Sequence, residues 1–398
     1  MTEEDAQPIR FKSQVKENFD LHLPMNIAEG IKCNPGDWLM LEVVPSTPVR
    51  NTPDYTSHEA EAKQSMMEAD ELGVNTFNYL LPQWIENVRH HLFYLKEQLD
   101  LNPSWVPKSI DDVPVPDKDR FGIVIGAGPS LKETTDEQWE ALRNFDGCIV
   151  ATNKALIPLV EHGIVPEWVV ALDSDDVVFK SFDSPILDTV KGKVNFLGAT
   201  VLRPDVVKFV TDWAKECYWG NPHMPSGQDT QYWNVNLILE LLNGLPVLHH
   251  GGNVGTAAWL LAKKIRCNPI GMYGFNMCTN PDKTWTRDKA VDYEYIYNPE
   301  NEEVLALDGP FRAYVSILVG VTDQAWNESP PITTVNLTPK GALFMSGFIP
   351  NITLTDFVEN KEVIQRADQD RKKSLARISE RLAIAKEAMK PIFRTDEF

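Results

Sequence analysis

The chain has 398 residues, 43% of them hydrophobic and 24% charged, and a formal net charge of −19. That length allows two or three domains with a sizeable core. The acidic balance excludes general binding to nucleic acid or to anionic lipid, both of which need basic surface, so an anionic substrate must be met by local donors.

Residues 1–118 read as an N-terminal region rich in proline and acids. Within it, LPQWIENVRHHLFYLKEQLDL places Trp84, Val88, His91, Leu92 and Leu95 at three-to-four spacing, which predicts a helix near 82–100. NPSWVPKSIDDVPVPDKD carries four prolines and reads as a linker. Residues 119–350 alternate short apolar runs with helical patterns. The runs are FGIVIG, GCIVAT, EWVVALD, KVNFLGAT, PIGMYGFN and TTVNLT. Helices are expected to begin near Asp136, Lys154, Pro204, Ser226, Val254 and Phe311. This alternation predicts a Rossmann-like α/β fold, a doubly wound and mainly parallel sheet with ligands at the carboxyl ends of its strands. Residues 351–398 form a charged helical addition with an incomplete apolar stripe through Ile364, Ala367, Leu375, Ile378, Leu382, Ile384 and Met389. One or two helices there would pack on the core or on a second copy of the chain.

The five cysteines (Cys33, Cys148, Cys217, Cys267, Cys278) form no CxxC pair and fit buried thiols of a reduced compartment. The opening MTEEDAQPIR shows no signal-type apolar core, and no apolar run approaches the ~20 residues of a membrane span. A soluble, cytoplasmic protein is expected.

The first strand exit, GAGPSL, has the residues of an anion-holding loop. Gly126 and Gly128 let main chain approach a ligand, Pro129 stiffens the turn after Ala127, and Ser130 offers a hydroxyl. Thr134 with Glu137 fits a capping box for the following helix. The spacing is neither the Rossmann dinucleotide fingerprint, because Leu131 stands where a third glycine is needed, nor a Walker loop. Asn153 and Lys154 close the second strand; the amide can read a nucleotide or cap a helix, and the lysine can neutralise phosphate. EWVVALDSDD ends a strand in Asp173 and Asp175, which could share a Mg2+ ion on a diphosphate, or Asp175 could simply cap a helix. WGNPHMPSGQDTQYW has the make-up of an active-site loop and contains His223, while LHHGGNVGTAAWLL sets Gly252 and Asn253 before a helix. The small residues that follow them also suit close helix–sheet packing. Adjacent His249 and His250 would point apart on a strand, which argues against a zinc site.

In order, GAGPSL, ATNKALIPLVEHGIVPEWVVALD, GGNVGTAAWLLAKKIRCNPIGMYGFNM and VNLTPKGALFMSGF resemble the motility accessory factors, bacterial flagellin glycosyltransferases. These share a domain with the archaeal 6-hydroxymethylpterin diphosphokinases, the MptE-like domain. The resemblance covers roughly residues 85–350 and implies a glycosyltransferase-A-like variant of the Rossmann-like sheet. GAGPSLKE with the following TN also resembles bacterial sialyltransferases. That likeness implies that Gly126, Gly128, Pro129, Ser130 and Asn153 surround the cytidine monophosphate of a donor sugar. The chain departs from these patterns in three places. ALDSDD replaces an Asp-Leu-Asp-Gly strand end, GFNM carries Asn276 where motility factors have an acid, and no histidine follows His250. The implied function is transfer of a sugar from a CMP-nonulosonate type of donor to a protein or glycan hydroxyl. Asp282, Asp288, Asp292 or His223 would serve as base. Diphosphate transfer from ATP to a 6-hydroxymethylpterin-like alcohol, with Mg2+, is one alternative; a non-catalytic nucleotide-binding relative is the other. The implied partners are the nucleotide sugar and a hydroxyl acceptor, with self-association through the C-terminal helices.

Overall fold

The computed structural model describes residues 80, 82–223, 235–278, 294–298, 303–343, 349–359, 362–373 and 375–376, all within one compact unit, Thr52–Phe398. Ten strands are described: β1 Arg120–Ile125, β2 Cys148–Thr152, β3 Trp168–Ala171, β4 Asn195–Ala199, β5 Glu216–Pro222, β6 Val247–Leu248, β7 Cys267–Tyr273, β8 Glu294–Asn298, β9 Glu303–Leu307 and β10 Thr334–Asn336. Eight of them form one parallel sheet in the order β10-β7-β1-β2-β3-β4-β5-β6, and β8 pairs with β9 as a separate antiparallel hairpin. Helices cover both faces. They are α1 82–101, α2 Pro129–Lys132, α3 Asp136–Arg143, α4 Asn153–Glu161, α5 Asp176–Phe179, α6 Pro204–Trp213, α7 Val235–Asn243, α8 Val254–Lys264, α9 Gly309–Trp326, α10 Leu354–Glu359 and α11 363–373. The α/β class expected from the alternation is the observed one.

Strands buried on both faces read as unbroken apolar runs, and CIVAT of β2 and WVVA of β3 are buried throughout. Their side chains divide between two layers. Val124, Val150, Val170 and Leu197 meet Ala257, Ala258 and Leu261 of α8. On the other face Ile123, Ile125, Ile149 and Ala151 meet Trp139 and Leu142 of α3 and Leu159 of α4. Small residues let α8 settle closely on the sheet: a Cβ on Gly255 would lie 2.7 Å from the Phe275 ring. The chain lays down β1 to β6 in one direction and then returns to place β7 on the other flank of β1. The β1–β7 border is therefore the topological switch point, where such sheets open a crevice at their carboxyl ends.

Several elements differ from the sequence reading. The first capping box is shifted by one residue: Thr135 caps α3 and Gln138 returns the bond. Thr134 instead bonds Leu131 O and Tyr273 OH, each at 2.8 Å. The strands β5 and β6 and the β8–β9 hairpin were not among the expected runs, because GNP and the short VL lack an unbroken apolar signature. Before α7, the expected start at Ser226 lies outside the described residues.

At the N-terminal side, α1 docks on the sheet. Trp84 and Val88 join the α8-face core, and the Asn87 amide donates to Val201 O at 2.8 Å. The proline-rich stretch after it is tied down as well, with Trp219 N–H donating to Lys108 O at 2.9 Å. In the C-terminal segment Phe357, Val363 and Ala367 are buried against the α3 layer, whereas Ile364 faces outward. Ile378, Leu382, Ile384 and Met389 of the expected stripe lie outside the described residues.

Candidate functional site

The carboxyl edge of the sheet gathers most of the sequence-expected groups. In the GAGPS loop, Gly126 N–H donates to Tyr273 O and Gly128 N–H to Gly274 O, both at 2.8 Å. Ser130 N–H and its hydroxyl both donate to Asn276 Oδ1, at 3.1 and 2.6 Å. Pro129 has no N–H, so among these five residues only the exposed Ala127 keeps an amide without a bond to the described residues. The loop is thus closed mainly by the exit of β7. Gly128 is glycine for that reason rather than for a special backbone angle: its φ is −65°, and a Cβ would run into the Asn276 side chain and sit 2.6 Å from Gly274 O.

The second motif supplies a cation and a buried amide. Asn153 is the first residue of α4, is almost wholly buried, and donates to Ser181 Oγ at 3.2 Å. Lys154 beside it is exposed. At the end of β3, Asp173 is reached by solvent, yet desolvation by surrounding protein pushes its carboxyl upward, against the pull of Lys154 and with a push from Asp175. Asp175 caps α5 by accepting Val177 N–H at 3.0 Å, which meets the helix-cap alternative. Asp176 is paired with Arg203.

Histidines meet at the far end of the edge. His223 follows β5, and its ring centroid lies 5.2 Å from that of His249, which follows β6. His250 accepts Gly252 N–H on Nδ1 at 3.0 Å. Desolvation, followed by His223, pushes it down to about 4, and it also bonds the His223 backbone. It is therefore neutral at pH 7, with its proton on Nε2, and acts as a strut between the β5 exit and the α8 entry. Asn253 caps α8 by accepting Thr256 N–H at 2.9 Å. Asp282, Asp288 and Asp292 lie outside the described residues. Among the described residues, no three His, Cys, Asp or Glu side chains converge on a metal position, and no helix is long and apolar enough to cross a membrane.

The residue that sequence reasoning left out of the site is Asn276. It ties three motifs together: its side chain holds Ser130, its carbonyl accepts Ala342 N–H at 2.8 Å, and its neighbour Phe275 donates to Thr338 Oγ1 at 3.1 Å. Gly341 closes this junction at φ +101°, where a Cβ would strike the Asn276 backbone. The contact with Ser130 spans 146 residues, and no local spacing announces it.

Part of the chain is similar to known proteins. Residues 98–282 match the family described as 6-hydroxymethylpterin diphosphokinase MptE-like. No curated protein matches the sequence. Among solved structures, a MAf glycosyltransferase from Magnetospirillum magneticum AMB-1 is similar at 12% identity and a TM-score of 0.44. The match covers 66% of this chain and 37% of that one.

Proposed function

We propose, starting from the MptE-like match at residues 98–282, that the chain is a nucleotide-dependent glycosyltransferase acting at the carboxyl edge of its parallel sheet. The observation that carries this reading is the single-edge alignment of Asn276, Lys154, Asp173 and the His223–His249 pair, which follow β7, β2, β3, β5 and β6. From β2 to β5 is three strand intervals, about 14 Å at ~4.8 Å each, on the scale of a nucleotide sugar laid along the edge. Lys154 and the free Ala127 amide would meet the donor phosphate, with Asn153 behind them. The donor sugar would then extend toward β5.

In the reaction, the bond from the anomeric carbon to the phosphate oxygen breaks and the acceptor hydroxyl oxygen bonds that carbon. The hydroxyl proton passes to His223, which His249 flanks and the His250 strut holds in place. Cytidine monophosphate leaves with the bonding electron pair. Charge building on the leaving phosphate is opposed by Lys154, the electrostatic contribution that such sites make. The CMP-nonulosonate type of donor and the protein or glycan hydroxyl acceptor are part of this proposal.

Magnesium fits this edge through one carboxylate. Asp173 reaches solvent and would hold the ion, whereas Asp175 already uses one oxygen on α5. Bound there, Mg2+ would neutralise diphosphate charge. That is what ATP-dependent diphosphate transfer to a pterin-like alcohol would need. A thermal-shift screen with CMP, UDP, GDP and ATP derivatives, with and without Mg2+, tests the proposal. Stabilisation by a CMP sugar and release of CMP on turnover are expected; AMP release from ATP would support the diphosphokinase instead. Lys154→Ala is expected to lose most of the nucleotide-induced shift, and an unchanged shift would remove Lys154 from the site.

A further inference from the structure

We infer that Asn276 is a specificity-determining residue whose side-chain NH2 donates to an acceptor oxygen of the bound nucleotide at the β1–β7 switch point; this rests on the nucleotide-transferase reading above. The orientation of its amide follows from its partners. Ser130 N–H can only donate, so the Asn276 atom facing it at 3.1 Å is the oxygen, and the Ser130 hydroxyl at 2.6 Å donates to the same atom. A flipped amide would set N–H against N–H. The NH2 group therefore points away from the GAGPS loop.

Asn276 is only 7% exposed, yet its NH2 makes no hydrogen bond to the described residues and is not sealed from water. Almost every other polar group at this junction is committed. Gly126, Gly128 and Ser130 spend their amides on the β7 exit, and Thr338 accepts Phe275 N–H. The loop's glycine and serine chemistry thus serves to aim one amide rather than to hold an anion directly. A nearly buried donor held in a fixed direction discriminates strongly, because a ligand lacking the acceptor leaves it unpaired. The group it reads is a nucleotide oxygen, on the phosphate or on a base carbonyl.

Asn276→Asp tests this with little change of shape. The aspartate keeps an oxygen for Ser130 but replaces the outward donor with a charged acceptor. Calorimetry with CMP and with cytidine is expected to show CMP affinity falling by about 10- to 100-fold, with the melting temperature kept. Equal loss for cytidine assigns the base carbonyl, and loss for CMP alone assigns the phosphate. Unchanged CMP affinity in N276D, with wild type binding normally, overturns the inference and leaves the transferase reading standing. Wild type that binds no nucleotide overturns both. A crystal structure of the wild-type chain with CMP needs no variant: Nδ2 within hydrogen-bond distance of a CMP oxygen is expected, and CMP seated away from Asn276 overturns the inference.

Discussion

His91 carries both ring nitrogens into the interior without a hydrogen-bond partner, with Trp219 packed edge-on at a centroid distance of 4.7 Å. Burial pushes it down to about 4 from its ordinary 6.5. Below pH 6.5 the unfolded chain takes up a proton that the folded site refuses, so stability falls with pH and about 3 kcal/mol is gone by pH 4. Denaturant titrations at pH 7 and pH 5 should show this slope, and His91→Leu should flatten it. The same variant removes two unpaired polar atoms and is expected to add about 1–2 kcal/mol at pH 7. Gly128→Val carries the opposite sign. Its side chain would enter the space held by Asn276 and Gly274 O, so a loss of about 1–3 kcal/mol is expected. A melting temperature equal to wild type would mean that the loop is not locked to β7. The sequence alone suggests that this glycine makes room for a ligand; the room is taken by a segment almost 150 positions away.

Elements were legible where one local rule decides them. Buried parallel strands announce themselves as apolar runs, and β1, β2, β3, β4, β7 and β10 fall on the expected segments. Helix entries are equally local: Asp136, Pro204 and Val254 begin α3, α6 and α8 where proline, caps and periodicity place them. The two-residue β6 and the polar end of β5 gave no such signal, because partners rather than composition fix them. At this scale Asn253 can be assigned by experiment. Asn253→Ala should cost about 1 kcal/mol through loss of the α8 cap, while Asn253→Asp should be close to neutral. Nucleotide affinity that falls in N253D at unchanged stability would give this residue a second role beyond the cap.

The whole molecule sets the field in which any donor arrives. At −19, the chain repels an anionic nucleotide at long range, and Lys154 attracts it only locally. Raising salt from about 20 mM to about 150 mM, where the Debye length is about 8 Å, should therefore speed nucleotide association in stopped-flow traces. A rate that falls with salt would place a stronger basic cluster at the entrance. The charge and the α/β alternation were readable at once. The pairing of Asn276 with Ser130 and the meeting of His223 with His249 were not, since both depend on which strands become neighbours. Strand order also governs the flanks. Among the described residues the sheet stops at two-residue β6 on one side and three-residue β10 on the other, where Asn336 is bridged by Asn351. So few open peptide groups give a stray β-segment almost nothing to zip onto. Growth of this eight-stranded sheet by added strands is thereby limited at both flanks.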